Sequence, residues 1–457
     1  MLLMTLLIVA VLVASYLLMS TVQVSHLNRG AVAMFGGVIV WLLYMFHGED
    51  FLRLVHPDAY ASYLADGAGD EGGIMGFVAG HVLAGYIAEA CSVILFLIAT
   101  NCILEVMSNN GVFDALTRWL RMRQSRRFLW ILTLLTFLIS ANVDNLTTVV
   151  LMLMIVGKIV ANHRQKVVFS CAVLVAAQLG GAFTVIGDMT SLMLWVRGVV
   201  TASAFAKGLV LPCLLSLCVF NLLLMPLLKG RLEVTSRLSM YRGNDSVLAP
   251  WQKLLLLFVG IAGLWSIPTF SAVTHFPPFI GALCVLALVW VVESACTFRQ
   301  NGNRLFVQHD YLKNTEFIGM NIIIYFLGIS LGIGALKECG ALDAVASLLG
   351  QYIHNIYAYG ALMGVVSAVF DTVPMMMAGL NLFPLDPSIA PFAQNGDYWQ
   401  MLAYSSAIGS CLIYVTTLAG QAVADTERVR LTWYGRHIAW RVAIAWAVGM
   451  GVFWLTH

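Results

Sequence analysis

Two short polar stretches interrupt an otherwise apolar sequence, and each carries an aspartate. The first reads Ser140-Ala141-Asn142-Val143-Asp144-Asn145-Leu146-Thr147-Thr148, between apolar runs over 128–139 and 149–160. The second, Ser367-Ala368-Val369-Phe370-Asp371-Thr372-Val373-Pro374, repeats the Ser-Ala-x-x-Asp frame. An ionisable group at bilayer depth costs roughly 2.5–3.5 kcal/mol on insertion scales, so it marks a functional site by default. Asp144 and Asp371 have no base nearby in sequence, and Asp188, in a further apolar run, has only Arg197. A carboxylate shut away from water without a base exchanges its charge with a cation or a proton. One site that holds either Na+ or H+, but not both well, is the physical core of antiport. Asn145, Thr147, Thr148, Thr190 and backbone carbonyls near Gly180 and Gly187 supply the hard oxygens that complete a Na+ shell. No cofactor is expected.

Plainer roles stand beside these. Asp144 and Asp371 can each cap the helix that follows, and Asp188 can cap a helix over 189–196. Thr147 and Thr148 can bond back to their own helix. Glu89 and Glu105 can bond across helices or sit near an interface. His81 is either a pH sensor or an ordinary interfacial histidine. Met375, Met376 and Met377 read as packing rather than as a soft-metal site.

The composition says what surrounds these residues. Of 457 residues, 60% are hydrophobic and only 11% charged, against about 25% charged in soluble domains. Several apolar runs exceed the roughly 18 residues that suggest a transmembrane helix. The fold class is therefore an all-α polytopic membrane protein, since only helices satisfy their own backbone along such spans. The net charge of +2 gives no reason to expect nucleic acid as a partner. The first run, 2–18, lacks a basic start and a small-residue cleavage site, and reads as a span rather than a cleaved signal. The cysteines lie in or at the ends of apolar runs with no C-x-x-C pair, and read as small apolar filler.

Lys and Arg mark cytoplasmic loops. Arg118, Arg121, Arg123, Arg126 and Arg127 precede the Asp144 stretch, and Lys158, Arg164 and Lys166 follow it. The segment 128–160 thus leaves and returns on one side. Each arm, about 12 residues at 1.5 Å rise, reaches only some 18 Å, which predicts a re-entrant hairpin with Asp144 at its tip. The flanks of the Asp371 stretch lack Lys and Arg entirely. The second hairpin, 356–383, is therefore expected to open from outside.

After each hairpin comes a long span with small residues in its middle. The first, 168–196, holds Gly180-Gly181 and Gly187-Asp188; the second, 399–425, holds Gly409-Ser410. These glycines predict unwound helices whose free carbonyls can bind a cation. The sum is about ten full spans, two re-entrant hairpins and two broken helices, with both termini outside. That is an inverted-topology repeat, with the substrate near the midplane where the halves meet. The expected divisions are an N-terminal span over 1–29, a first repeat over 30–230, a connecting loop and span over 231–278, and a second repeat over 279–457.

The runs SANVDNLTTVVLM at 140–152 and GGAFTVIGDMTSLMLW at 180–195 resemble the NhaD-type sodium/proton antiporters of the ion transporter superfamily. The resemblance is best over roughly 85–230. It implies Na+ or Li+ exchange for H+ in an inner or organellar membrane, here taken as the bacterial inner membrane. Carried over by position, it implies Asp144, Asn145, Thr147, Thr148, Asp188, Thr190 and Asp371 as site residues, with Thr372 beside Asp371 added and Gly180, Gly181, Gly187 and Gly409 as supporting backbone. The chain departs from the family at Thr372, where Asn is usual, and at Gln178 and Phe183-Thr184-Val185 around the double glycine. The expected partners are Na+, Li+ and H+ as transported ions, the lipid bilayer and, as one option, a second copy of the chain in a homodimer. The chain reads as a transporter and not an enzyme.

Two rival readings fit the same residues. An anion or dicarboxylate transporter would use the same architecture, but aspartates at both tips would repel an anion. An intramembrane aspartyl protease would pair Asp188 with Asp144 or Asp371, and would leave the repeat and the hairpins without a purpose.

Overall fold

The computed structural model describes residues 2–21, 27–65, 73–113, 120, 122, 124–228, 230, 232, 248–301, 316–353 and 355–457, without the side chains of 298–301 and 316–319. Of the bases used above for sidedness, Arg118, Arg121 and Arg123 lie outside the described residues. Among the described residues the chain is 85% helical with no strand. Nine helices there are long and apolar enough to cross a membrane. A bent pair, Arg29–Met45 and Gly48–Val55 at 89°, makes a tenth span.

Sixteen helices carry the architecture. In the first half they are α1 (Leu2–Ser20), α2 (Arg29–Met45), α3 (Ala84–Asn109), α4 (Ser125–Ser140), α5 (Asn145–Ile159), α6 (His163–Ala182), α7 (Met189–Val196) and α8 (Ala202–Leu224). In the second half they are α9 (Pro250–Thr274), α10 (Pro278–Asn301), α11 (Glu316–Glu338), α12 (Ile356–Phe370), α13 (Thr372–Leu382), α14 (Asp397–Ser410), α15 (Leu418–Glu427) and α16 (Trp440–Thr456). Helices α4 and α5 form the first hairpin and α12 and α13 the second; α6–α7 and α14–α15 are the broken spans. A 3-10 stretch, Cys411–Thr416, fills the second break.

Raising both labels by eight converts one half's packing into the other's. Helix α1 lies on α2 as α9 lies on α10, and α4 lies on α6 as α12 lies on α14. Contacts between the halves exchange in the same way: α2 packs on α11 and α10 on α3, while α5 packs on α15 and α13 on α7. Helices α8 and α16, and α6 and α14, meet their own counterparts. Five spans separate the two hairpins (α6–α7, α8, α9, α10 and α11), an odd number, so the hairpins enter from opposite faces. This packing has the form of an inverted repeat. The broken spans hold the centre: the most apolar window of α6 is 89% buried, against 22% for α1 and α9 at the rim. Leu134, Leu138, Phe258, Trp265 and Val291 point outward into the lipid zone.

Sequence reasoning needs two corrections here. The hairpin arms are longer than the apolar runs suggest. Helices α4 and α5 have 16 and 15 residues, roughly 24 and 22 Å at 1.5 Å per residue, because α4 already starts at Ser125, whose hydroxyl donates to the Gly230 carbonyl. The double glycine does not unwind its span either. Gly180 and Gly181 are helical, and the break runs over 183–188. Their role is close approach: a Cβ on Gly180 would land on the Phe137 carbonyl of α4, and one on Gly409 on the Gly364 carbonyl of α12. One turn away in each contact a serine pins the pair. Ser140 Oγ donates to the Ala177 carbonyl at 2.7 Å, and Ser367 Oγ to the Ser406 carbonyl at 2.8 Å. Ser140→Ala is expected to weaken this clamp by about 0.5–1.5 kcal/mol, read as a small fall in the melting temperature of the detergent-solubilised protein.

Candidate functional site

The tip of the first hairpin meets the break of the first broken span. Asp144, 5% exposed, is the N-cap of α5 and accepts a long bond from the Thr147 amide at 3.4 Å. Asp188, also 5% exposed, stands at the N-cap position of α7 but makes no capping bond. Its carboxylate instead accepts from the Thr190 hydroxyl. The two aspartates lie within Coulombic reach of one another, and Asp188 also feels the charge of Asp371. Like charges shut in together attract whatever positive charge can reach them.

Asn145 joins them from the first turn of α5. Its Nδ2 donates to Gln178 Oε1 at 2.7 Å, while its buried Oδ1 has no hydrogen-bond partner. That orphan oxygen faces Gly181, alongside the Gly187 carbonyl and the Cβ of Asp188. Leaving a buried acceptor unmade costs about 1–3 kcal/mol, a cost that a group binding this oxygen would remove. Among the described residues no protein donor takes up the Ile186 or Gly187 carbonyls. Gly181 and Gly187 make the enclosure possible, since a Cβ on either would strike the facing backbone. Asp144, Asp188, Asn145 Oδ1 and the break carbonyls thus form a set of hard oxygen donors with two negative charges, the chemistry that suits Na+ and, in its absence, protons.

The remaining candidates are placed differently. Thr147 donates to Asn101 Oδ1 on α3 at 3.0 Å, and Thr148 to its own segment, at the Val143 carbonyl, at 3.4 Å. Asp371, at the second tip, has φ 72, a strained region for a non-glycine residue that costs about 1–3 kcal/mol. Its Oδ1 accepts from the Thr372 amide at 2.7 Å and the Thr372 hydroxyl at 3.3 Å, and its Oδ2 from Tyr325 at 2.8 Å. The methionines 375–377 are buried in packing, and His81 stacks on Phe77.

Sequence reasoning missed Arg29, Tyr325, Gln178 and Asn101 as neighbours of the site. Arg29 is only 4% exposed. Its Nη1 donates to the Thr416 carbonyl at 2.7 Å and its Nη2 to the Val415 carbonyl at 2.9 Å.

Toward one face, a vestibule is lined by His56, Tyr63, His81, Tyr86, Glu89 and Glu338. Glu338 accepts from Tyr86 at 2.8 Å and pairs with His56 at 2.9 Å. Deeper in, Glu89 pairs with Arg197, which also donates to Asn381 of α13 at 3.0 Å. Glu89 therefore bonds across helices. Glu89→Gln would leave Arg197 without its carboxylate beside the vestibule, and a severalfold higher apparent KM for a cation, with the maximal rate little changed, is expected in transport assays.

A family profile described as "CitMHS: Citrate transporter" matches residues 1–409. "Sodium/proton antiporter 1" of Arabidopsis thaliana is 29% identical over 375 residues, 81% of this chain and 62% of the relative. "Na(+)/H(+) antiporter NhaD" of Vibrio parahaemolyticus is 28% identical over 394 residues, 80% of this chain and 90% of the relative. The protein of the same name from Alkalimonas amylolytica is 24% identical over 461 residues, 95% and 87% of the two chains. The matched region thus spans less than two thirds of the plant protein and most of the bacterial ones.

Proposed function

The chain belongs to the citrate transporter (CitMHS) family, and on that premise we propose that it is an NhaD-type member exchanging Na+ for H+ across a membrane. The observation that carries the reading is the buried pair Asp144 and Asp188, with the orphan Asn145 oxygen where the first hairpin tip meets the first break and no base bound to either carboxylate among the described residues. Two adjoining carboxylates do not suit citrate, which is itself an anion. They suit a small cation that a proton can replace. The names of the plant and bacterial relatives support the same cargo.

In this reading Na+ sits on Asp144, Asp188, Asn145 Oδ1 and the Gly187 carbonyl, with Thr190 orienting Asp188. Thr147 and Thr148 hold the first turn of α5 in place, and Asp371 and Thr372 face the site from the opposing hairpin. Protonation neutralises the carboxylates and releases the ion. Occupancy by one or the other lets the halves move about the hairpin tips, so the two fluxes are coupled. We extend the proposal to Li+, which uses the same hard oxygens, and to operation in the inner membrane of a bacterium, with a homodimer as the assembly. The chemistry is binding and release, with no bond-making step. The repeats are taken as 30–230 and 279–457, with α1 and α9 as matching peripheral spans.

The reading is tested in proteoliposomes carrying a pH gradient, by adding Na+, Li+, K+ or citrate in turn. Na+ and Li+ should each collapse the gradient. Collapse by citrate alone would replace the reading with anion transport.

A further inference from the structure

The packing symmetry assigns each residue of the first ion position a counterpart in the second. Asp188 at the N-cap of α7 corresponds to Thr417 at the N-cap of α15, where the threonine hydroxyl does accept the capping bond, from Gly420 N at 2.9 Å. The carbonyls of Ile186 and Gly187 correspond to those of Val415 and Thr416. In the first half those carbonyls have no donor among the described residues, and beside them lie two carboxylates. In the second half the same two carbonyls receive the Arg29 guanidinium, at 2.9 and 2.7 Å. With its amide oxygen turned toward the arginine, Gln421 accepts from Arg29 Nε at 2.8 Å and Nη2 at 2.5 Å. Asp371, the counterpart of Asp144, lies within the field of this guanidinium. Arg29 begins α2, and its counterpart helix α10 begins at Pro278, where Pro277 and Pro278 offer no base.

We infer that the Arg29 guanidinium is a built-in cation standing in the second of two symmetry-related ion positions, so that the protein carries one exchangeable Na+ site, that of Asp144 and Asp188. The charges support it. The first position holds two carboxylates and no resident cation, so it is incomplete without an ion. The second holds one carboxylate and one arginine and is complete as it stands. An arginine suits a permanent occupant, since its side chain stays charged at all working pH and its planar fork fits two carbonyls at once. Burying it without partners would be prohibitive, and here every arm is used. The asymmetry also gives the second hairpin a different duty. Asp371 neutralises Arg29 and is held by Tyr325 and Thr372, which makes that tip a fixed wall opposite a site that fills and empties.

This inference rests on the Na+/H+ reading, and its test separates the two. Radioactive sodium bound per chain is measured at saturation on the purified full-length protein. Wild type should bind one Na+, and Asp144→Asn none. Arg29→Ala opens the second position beside Asp371, and should bind two. Because that variant leaves the buried Asp371 without a neighbouring cation and can fail to fold, the neutral pair Arg29→Met with Asp371→Asn is measured alongside, and should still bind one. Two ions in wild type, one in a folded Arg29→Ala protein, or none in the folded neutral pair would each overturn the inference while leaving Na+/H+ exchange standing. A wild-type protein that binds no Na+ would remove the exchange reading itself.

Discussion

Asp144→Asn is expected to lower Na+-driven proton flux in proteoliposomes at least about 100-fold, to the level of empty vesicles. The change keeps the size and the capping oxygen of the residue, so the helix start of α5 survives. It removes half of the negative charge that the first position offers a cation, and with it the group that a proton must neutralise. Loss of a charge-assisted ligand in a dry site is worth about 3 kcal/mol or more, and each 1.4 kcal/mol is tenfold in affinity. Asp188→Asn should behave alike, because its carboxylate binds Thr190 rather than capping α7. The paired readout is the melting temperature in detergent. It should hold or rise in Asp144→Asn, since the variant removes repulsion between the two buried aspartates. Normal flux in a folded Asp144→Asn protein would end the account of the site.

The second large effect is structural. Gly180→Ala should cut the yield of folded protein severely, and Gly409→Ala should do the same. At both positions the new Cβ would meet backbone of the facing hairpin arm, at Phe137 and Gly364, rather than a side chain that can turn away. Overpacking typically costs about 1–3 kcal/mol, and a backbone collision in the most buried span sits at or above the top of that range. The expected outcome is a matched pair of losses from two residues far apart in sequence, measured by size-exclusion chromatography of the solubilised protein. An exposed control, Gly451→Ala, meets nothing within 4 Å and should leave the yield unchanged. Similar yields for all three would contradict the symmetric clamp.

Much of this arrangement is legible from the sequence, for a physical reason. A charge in an apolar run is so costly that Asp144, Asp188 and Asp371 stand out singly, and the arginines and lysines of the loops divide spans from hairpins. The Ser-Ala-x-x-Asp frame carries the repeat because both serines make the same bond, to Ala177 and to Ser406. What sequence misreads depends on contacts distant along the chain. The double glycine looks like a helix breaker in isolation, yet its purpose is set by Phe137 on another helix. Arg29 looks like a loop base, and only carbonyls 386 and 387 residues away reveal that it is buried. The composition of 183–188 gives no sign that the Ile186 and Gly187 carbonyls have no donor among the described residues, because that follows from the absence of a counterpart to Arg29.

The central claim is that one pair of carboxylates holds either Na+ or H+. It is tested most directly by measuring the apparent KM for Na+ at a series of pH values in the same proteoliposomes. Protons compete for the same oxygens, so lowering the pH should raise that KM, by up to about tenfold per pH unit for each proton displaced, while the rate at saturating Na+ is recovered. An Na+ affinity that stays constant across the series would mean that the two ions use separate sites, and would contradict the account.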